Sequence, residues 1–179
     1  MKNLGNRMKF NYEDAYKIRL PMRMPVIVRI DGKSFHSYTK KIKLEKPFDQ
    51  GFWNLIHESG VYAAKQISGA QLVYSQSDEI SILVHNYKKL DTNPYVGNEL
   101  QKLVSHTASM VTAYFNAMRL TEDLAIFDAR AFVIPEDEVN NYFIWRQQDC
   151  IRNSISSVAQ YHFSHKELQN KNTRDTRRY

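Results

Sequence analysis

The chain has one cysteine, Cys150. No internal disulfide is possible, and a reducing cytoplasm is the natural home for such a sequence. Cys150 falls in a helical pattern and reads as a small core residue. No apolar run approaches the length of a membrane span, so no membrane contact is expected. The first residues, Met1-Lys2-Asn3-Leu4-Gly5-Asn6-Arg7, carry no secretory apolar stretch. Neither an internal repeat nor a domain linker is visible. The 179 residues therefore read as one domain, 1–179, with a sizeable core.

What is present is a well-mixed globular composition with a basic surplus. Hydrophobic residues make up 42% and aromatics 12%, which excludes a disordered chain. Lysine and arginine number 25 against 19 aspartates and glutamates, a net charge of +6, and the pI is about 9.3. That balance suits an anionic partner, most simply nucleic acid.

Two stretches carry candidate chemistry. In the first, five of the six residues from Pro25 to Ile30 are apolar, most of them β-branched, so the segment reads as a buried strand. It runs straight into Asp31-Gly32 and a donor-rich turn, Lys33, Ser34, His36 and Ser37. Asp-Gly after a strand is often only a hairpin turn. It is also a way to hold a metal over phosphates, with Gly32 letting the backbone approach a ligand. The second stretch, 72–84, reads as two apolar strands flanking Gln76-Ser77-Asp78-Glu79, a hairpin with two carboxylates at its tip. Aspartates from two strand ends are what a two-metal phosphoryl-transfer site needs, because Mg²⁺ takes oxygen ligands and keeps positions for water and phosphate.

The chain in order supplies the frame. Tyr12, Tyr16 and Ile18 are expected to pack a short N-terminal helix on the body. Residues 40–47 read as a basic loop containing Lys40, Lys41, Lys43 and Lys46. From Phe48 the spacing turns helical, through Phe52, Leu55, Ile56, Ser59, Ala63 and Ile67, with Gly69 as the stop. A second long helix covers about 95–119, with His106 a helix residue and not a ligand. A fourth strand, Phe127 to Pro135, follows, and helix resumes at Glu136. The end of the chain, with Arg174, Arg177 and Arg178, is polar and basic. Strand, helix, strand, strand, helix, strand is the α+β, ferredoxin-like βαββαβ arrangement, an antiparallel sheet with helices on one face. It places the end of the first strand and the second-to-third turn at one edge.

At this point the residues resemble a known family. Arg29-Ile30-Asp31-Gly32-Lys33-Ser34-Phe35-His36, Ser77-Asp78-Glu79, Phe127-Asp128-Ala129-Arg130 and Trp145-Arg146-Gln147-Gln148-Asp149-Cys150 together are similar to the tRNA-His guanylyltransferases and their guanylyltransferase-like relatives, which are 3′-to-5′ RNA polymerases. The match runs in order from about 10 to 172. The resemblance implies a polymerase palm and addition of nucleotides to the 5′ end of a tRNA after activation by ATP, with GTP or another nucleoside triphosphate incoming. It implies two Mg²⁺ ions held by Asp31, Asp78 and the carbonyl of Gly32, with Glu79 beside them. By the same likeness Lys33, Ser34, Phe35 and His36 wrap the triphosphate, Ser77 belongs to the nucleotide site, and Lys46, Arg130 and Asn153 handle nucleotide or 5′ end. Assembly as a dimer or tetramer is a further implication.

The sequence also departs from the family. Guanylyltransferases proper follow Asp-Cys with His-Ile-Asn-Asn-Leu-Tyr-Asn, whereas Cys150 is followed by Ile151-Arg152-Asn153-Ser154-Ile155-Ser156-Ser157. This resembles the guanylyltransferase-like branch and favours repair of 5′-truncated tRNAs. Family members continue past Lys171 with further tRNA-contacting sequence, so the chain is expected to be a shortened form. Two other readings share the frame. A nucleotidyl cyclase would use the same two aspartates but would need neither the basic surplus nor the long helix bearing Arg146 and Arg152. A non-catalytic RNA-binding module on this sheet would read bases with aromatics on its central strands, which here are aliphatic.

Overall fold

The two most apolar stretches of the sequence become the two inner strands of the sheet. The computed structural model describes residues 3–119 and 121–169. In it β1 (Val26–Gly32) and β3 (Glu79–Val84) lie side by side, with β2 (Ala70–Gln76) and β4 (Phe127–Val133) at the edges. The order is β2-β3-β1-β4, every pairing antiparallel. Strands covered on both faces need apolar side chains at consecutive positions. Hence Val26, Ile27 and Val28, and every residue from Ile80 to Val84, are buried.

The crossover helices α3 (Gln50–Gln66) and α4 (Leu100–Met118) lie together on one face. Each buries one stripe: Ile56, Ser59, Gly60 and Ala63 on α3, and Leu103, Thr107, Val111 and Phe115 on α4. The βαββαβ order and the ferredoxin-like sheet follow the sequence reading. The opposite face is covered by α5 (Val139–His162), whose Tyr142 joins Ile27 and Leu83 in a second, smaller cluster. The periodicity shows that helix but not the face it takes.

Several local readings are corrected. Tyr12, Tyr16 and Ile18 do not pack on the body. Tyr12 and Tyr16 lie on irregular helical turns after α1 (Leu4–Met8), Ile18 follows them, and all three are 60–74% exposed. Phe48 is outside α3 and exposed, because Asp49 caps the helix by accepting the Phe52 N–H at 2.8 Å. The second long helix starts at Leu100 and not near 95, because Val96, Gly97 and Asn98 all have left-handed backbone. Lys40 and Lys41 end a short helix, α2 (Phe35–Lys41), and are not loop residues. Cys150 is half-buried and not a core residue. The arginines of 170–179 lie outside the described residues.

One packing contact sets the path of the chain after β1. Phe35 begins α2 and buries its ring against Phe127, Tyr38, Phe115 and Phe52, at centroid separations of 4.9, 5.1, 6.0 and 6.1 Å. That ring lies over Gly32, where an added Cβ would stand 2.1 Å from it. Glycine is required at 32 by this close approach. Gly32→Ala should cost about 1–3 kcal/mol, the usual penalty of overpacking. Phe35→Leu should shrink that penalty, as contacting residues do in a double-mutant cycle. Urea unfolding of the four variants measures it, and additive losses would show that the ring is not the obstacle.

Candidate active site

The antiparallel register sets the site. Ile30 of β1 faces Ile80 of β3, so Asp31 falls level with Glu79 and with the two-residue turn, Ser77 and Asp78, that joins β2 to β3. Two aspartates from different strand ends thus share one edge of the sheet, as the sequence implied. Burial pushes the Asp78 carboxyl above its ordinary range, and the charge of Asp31 adds to the rise. The Ser77 hydroxyl, donating to Asp78 Oδ1 at 3.0 Å, pulls the other way. Ser77 itself has a left-handed φ of 50°, which turns the chain sharply enough to bring Asp78 to the edge.

Glu79 has a different environment. Arg146 of α5 donates to it side-on, Nε to Oε1 at 2.8 Å and Nη2 to Oε2 at 2.9 Å. The same Nη2 reaches Asp149 Oδ2 at 2.8 Å. Arg152 also binds Asp149 and is the first cause of its lowered pKa, with Arg146 adding to it. Arg146 is 5% exposed and lies over the Trp145 ring, 4.3 Å from its centroid. Buried Gln76 donates to Asp149 at 3.5 Å, and Tyr142 and Ser81 share a buried hydroxyl contact of 2.8 Å. Beside Cys150, Tyr74 is pushed up to about 12, chiefly by burial. Glu79 is therefore an ion-paired residue with both oxygens occupied. Among the described residues, no group of three histidine, cysteine, aspartate or glutamate side chains forms a metal cage. Among the described residues, neither Asp31 nor Asp78 forms an ion pair.

The turn after β1 adds donors. Its path is held by the Lys33 N–H, which donates to Ile126 O at 2.8 Å. Ser34 takes left-handed backbone just before α2. Lys33, Ser34, Ser37 and Lys41 border a cavity of about 290 Å³ against Leu124 and Ile126. His36 is exposed on α2, while Phe35 is turned into the core and lines nothing. Lys46 is exposed between α2 and α3. Arg130 sits opposite Arg29 in the β1–β4 register, 3.7 Å from Asp128. Asn153 is exposed on α5, two turns past Arg146, and no hydrogen bond joins it to the aspartates among the described residues.

The sequence reading missed the partnership of Glu79 with Arg146, and the place of Arg29, which is 4.0 Å from Glu79 with its Nε buried and unpartnered. The spacing of Arg146, Asp149 and Arg152 signals a helix-face ion ladder. Nothing in the linear pattern joins residue 79 to residue 146.

Comparison with known proteins gives the family and the fold. The model of the tRNAHis guanylyltransferase family, Thg1, matches residues 5–135. A tRNA(His) guanylyltransferase of Schizosaccharomyces pombe is 34% identical over 165 residues, 86% of this chain. The match spans 60% of that protein's length. Among solved structures, a bacterial tRNA(His) guanylyltransferase-like protein in complex with ATP superposes with a TM-score of 0.92 at 57% identity, covering 97% of this chain and 77% of that one. Its complex with GTP gives 0.84 at 57% identity, over 94% and 76%. The tRNA(His) guanylyltransferase of Saccharomyces cerevisiae, at 21% identity and a TM-score of 0.78 over 95% and 82%, shares the fold. By the extent of the family match, the chain belongs to the tRNAHis guanylyltransferase family.

Proposed function

We propose that the chain is a Mg²⁺-dependent nucleotidyltransferase that adds nucleotides to the 5′ end of tRNA in the cytoplasm. The observation that carries this reading is the aspartate pair at one sheet edge, beside a turn of lysine and serine donors. The ATP and GTP complexes of a relative 57% identical support nucleoside triphosphates as substrates. No helix of the described residues is long and apolar enough to cross a membrane. The residues after Cys150 favour repair of 5′-truncated tRNA over tRNA-His guanylylation. The family resemblance alone carries the reading of residues 1–179 as one catalytic domain and its assembly as a dimer or tetramer.

The aspartate pair fits a cation. A carboxylate stripped of water and set beside a like charge is one that positive charge would relieve. Asp31 and Asp78, with the Gly32 carbonyl, would hold Mg²⁺, which when bound offsets phosphate charge and favours an attacking oxygen. Lys33, Ser34 and His36 orient the triphosphate, and Ser77 completes the nucleotide site. In the activation step the RNA 5′-phosphate attacks the α-phosphate of ATP and pyrophosphate leaves. In the addition step the 3′-hydroxyl of the incoming nucleotide attacks the adenylylated end and AMP leaves. Lys46, Arg130 and Asn153 handle the phosphates, stabilising charge that develops as each bond breaks.

Asp31→Ala and Asp78→Ala should each lower 5′ addition by more than about 100-fold, beyond the range typical of outer-shell partners, with the fold intact by circular dichroism. Extension of a tRNA lacking its first nucleotide measures this. Consumption of nucleotide without RNA would point to a cyclase instead. Arg130→Ala or Asn153→Ala should slow extension of a 5′-monophosphorylated tRNA more than of a 5′-triphosphorylated one, which needs no activation. Equal losses would deny them an activation role.

The raised pKa of Asp78 has a sign for stability. The folded state binds its proton more tightly than the unfolded chain does, so the ionised group costs stability at neutral pH and the cost fades in acid. Without metal, Asp78→Asn should therefore raise Tm near pH 7, and the gain should shrink as pH falls toward the ordinary carboxylate range. Mg²⁺ should raise the Tm of the wild type more than that of the variant. Thermal melts across pH and Mg²⁺ concentration test both.

A further inference from the structure

The Ser77–Asp78 turn is held at both of its feet by one helix. On the β2 side Gln76, 4% exposed, donates to Asp149 of α5 at 3.5 Å. On the β3 side Glu79 takes the side-on fork of Arg146 at 2.8 and 2.9 Å. Arg146 and Asp149 are bonded to each other at 2.8 Å, so the two grips form one unit. Within the hairpin, Gln76 pairs with Glu79 and the Ser77 hydroxyl donates to Asp78. The hairpin brings Asp78 to the edge beside Asp31, and α5 adds a second set of ties at both ends of the turn.

We infer that Arg146 is a positioning residue, acting through Glu79 and Asp149 to hold Asp78 at the distance from Asp31 that a divalent cation requires. The inference rests on the metal reading of the aspartate pair. It gives Glu79 a role other than ligand. A forked guanidinium fixes the orientation of the carboxylate it grips, which a single-point lysine contact would not do. The Tyr142 contacts seat the first turns of α5 on the sheet, and the Arg146 fork then transmits that seating to residue 79, next to Asp78 in the chain.

A purely structural ion pair and a positioning one behave alike when one partner is removed: Arg146→Met leaves half-buried Glu79 with Arg29 alone at 4.0 Å, and Glu79→Gln takes a carboxylate from both Arg146 and Arg29. They differ when both are replaced together. Glu79→Gln and Arg146→Met should each lower Tm. The double variant removes both charges of the fork and leaves Asp149 with Arg152, with Arg29 alone losing its carboxylate neighbour, so its Tm should rise well above that of either single variant. Mn²⁺ binding, followed by the paramagnetic signal of the free ion, should nonetheless stay about tenfold weaker in the double variant, the scale of outer-shell effects. Its kcat should fall by a similar factor, with KM for RNA within about twofold. Recovery of Mn²⁺ affinity and kcat along with Tm would overturn the inference and leave the pair a stability element. A wild type that binds Mn²⁺ but extends no RNA would reject the proposed reaction, while the Mn²⁺ comparison still decides the positioning role. A wild type that binds no Mn²⁺ would overturn both.

Discussion

Asp31 and Asp78 repel one another, and most of the architecture can be understood as what it takes to keep them together. Opposition of like charge in a partly desolvated place is unfavourable in the folded state alone, since the unfolded chain lets the two groups drift apart. It persists because β1 and β3 are over-determined. They are buried on both faces, paired on both edges, and locked in one register by apolar side chains at nearly every position. Slipping that register by one residue would turn Val28 and Ile30 out of the core and Arg29 into it. The strain at the edge is small beside that penalty.

The two faces of the sheet divide the work. The α3–α4 face holds the large apolar cluster, including the aromatic group around Phe35 that sends the chain away from Gly32. The α5 face joins the smaller apolar cluster around Tyr142 to an ionic group, with Arg29, Glu79, Arg146 and Asp149 in one connected set. A buried ion network contributes little net stability beside an apolar replacement, but it is directional. The apolar face supplies cohesion. The ionic group supplies orientation, at the edge where orientation matters.

How much of this could be read in the sequence depends on the range of the interaction responsible. Inner strands were legible because burial on both faces leaves a continuous apolar run, as in Val26 to Val28 and Ile82 to Val84. Helices were legible from one-sided spacing, and the paired aspartates from the order of the elements. Boundaries set by one hydrogen bond were not. Asp49 starts α3 by capping it, and Phe48 fits the helical spacing equally well. Phe35 sits among the donors of the turn and looks like one of the groups lining it. Only the tertiary position of Phe127 and Phe115 shows that it points inward. The Glu79–Arg146 pair spans 67 residues of sequence and follows from no local rule.

The outer half of α5 has a further consequence. The helix is 24 residues long, about 36 Å at the usual rise, but its ties to the sheet end near Asp149 and Cys150. Beyond them the residues are mostly exposed, with Ala159 an exception. Apart from Ala159, which is buried, and Arg152, which bonds Asp149, little there constrains the choice of side chain, and the aspartate pair and the Glu79–Arg146 fork come before it. The segment Ile151 to Ser157, where this chain departs from the guanylyltransferases proper, falls in that outer half. An arm of this kind can change most of its sequence without disturbing the aspartates at the other end. The outer arm and the geometry of the aspartate pair are thereby largely uncoupled along a single helix.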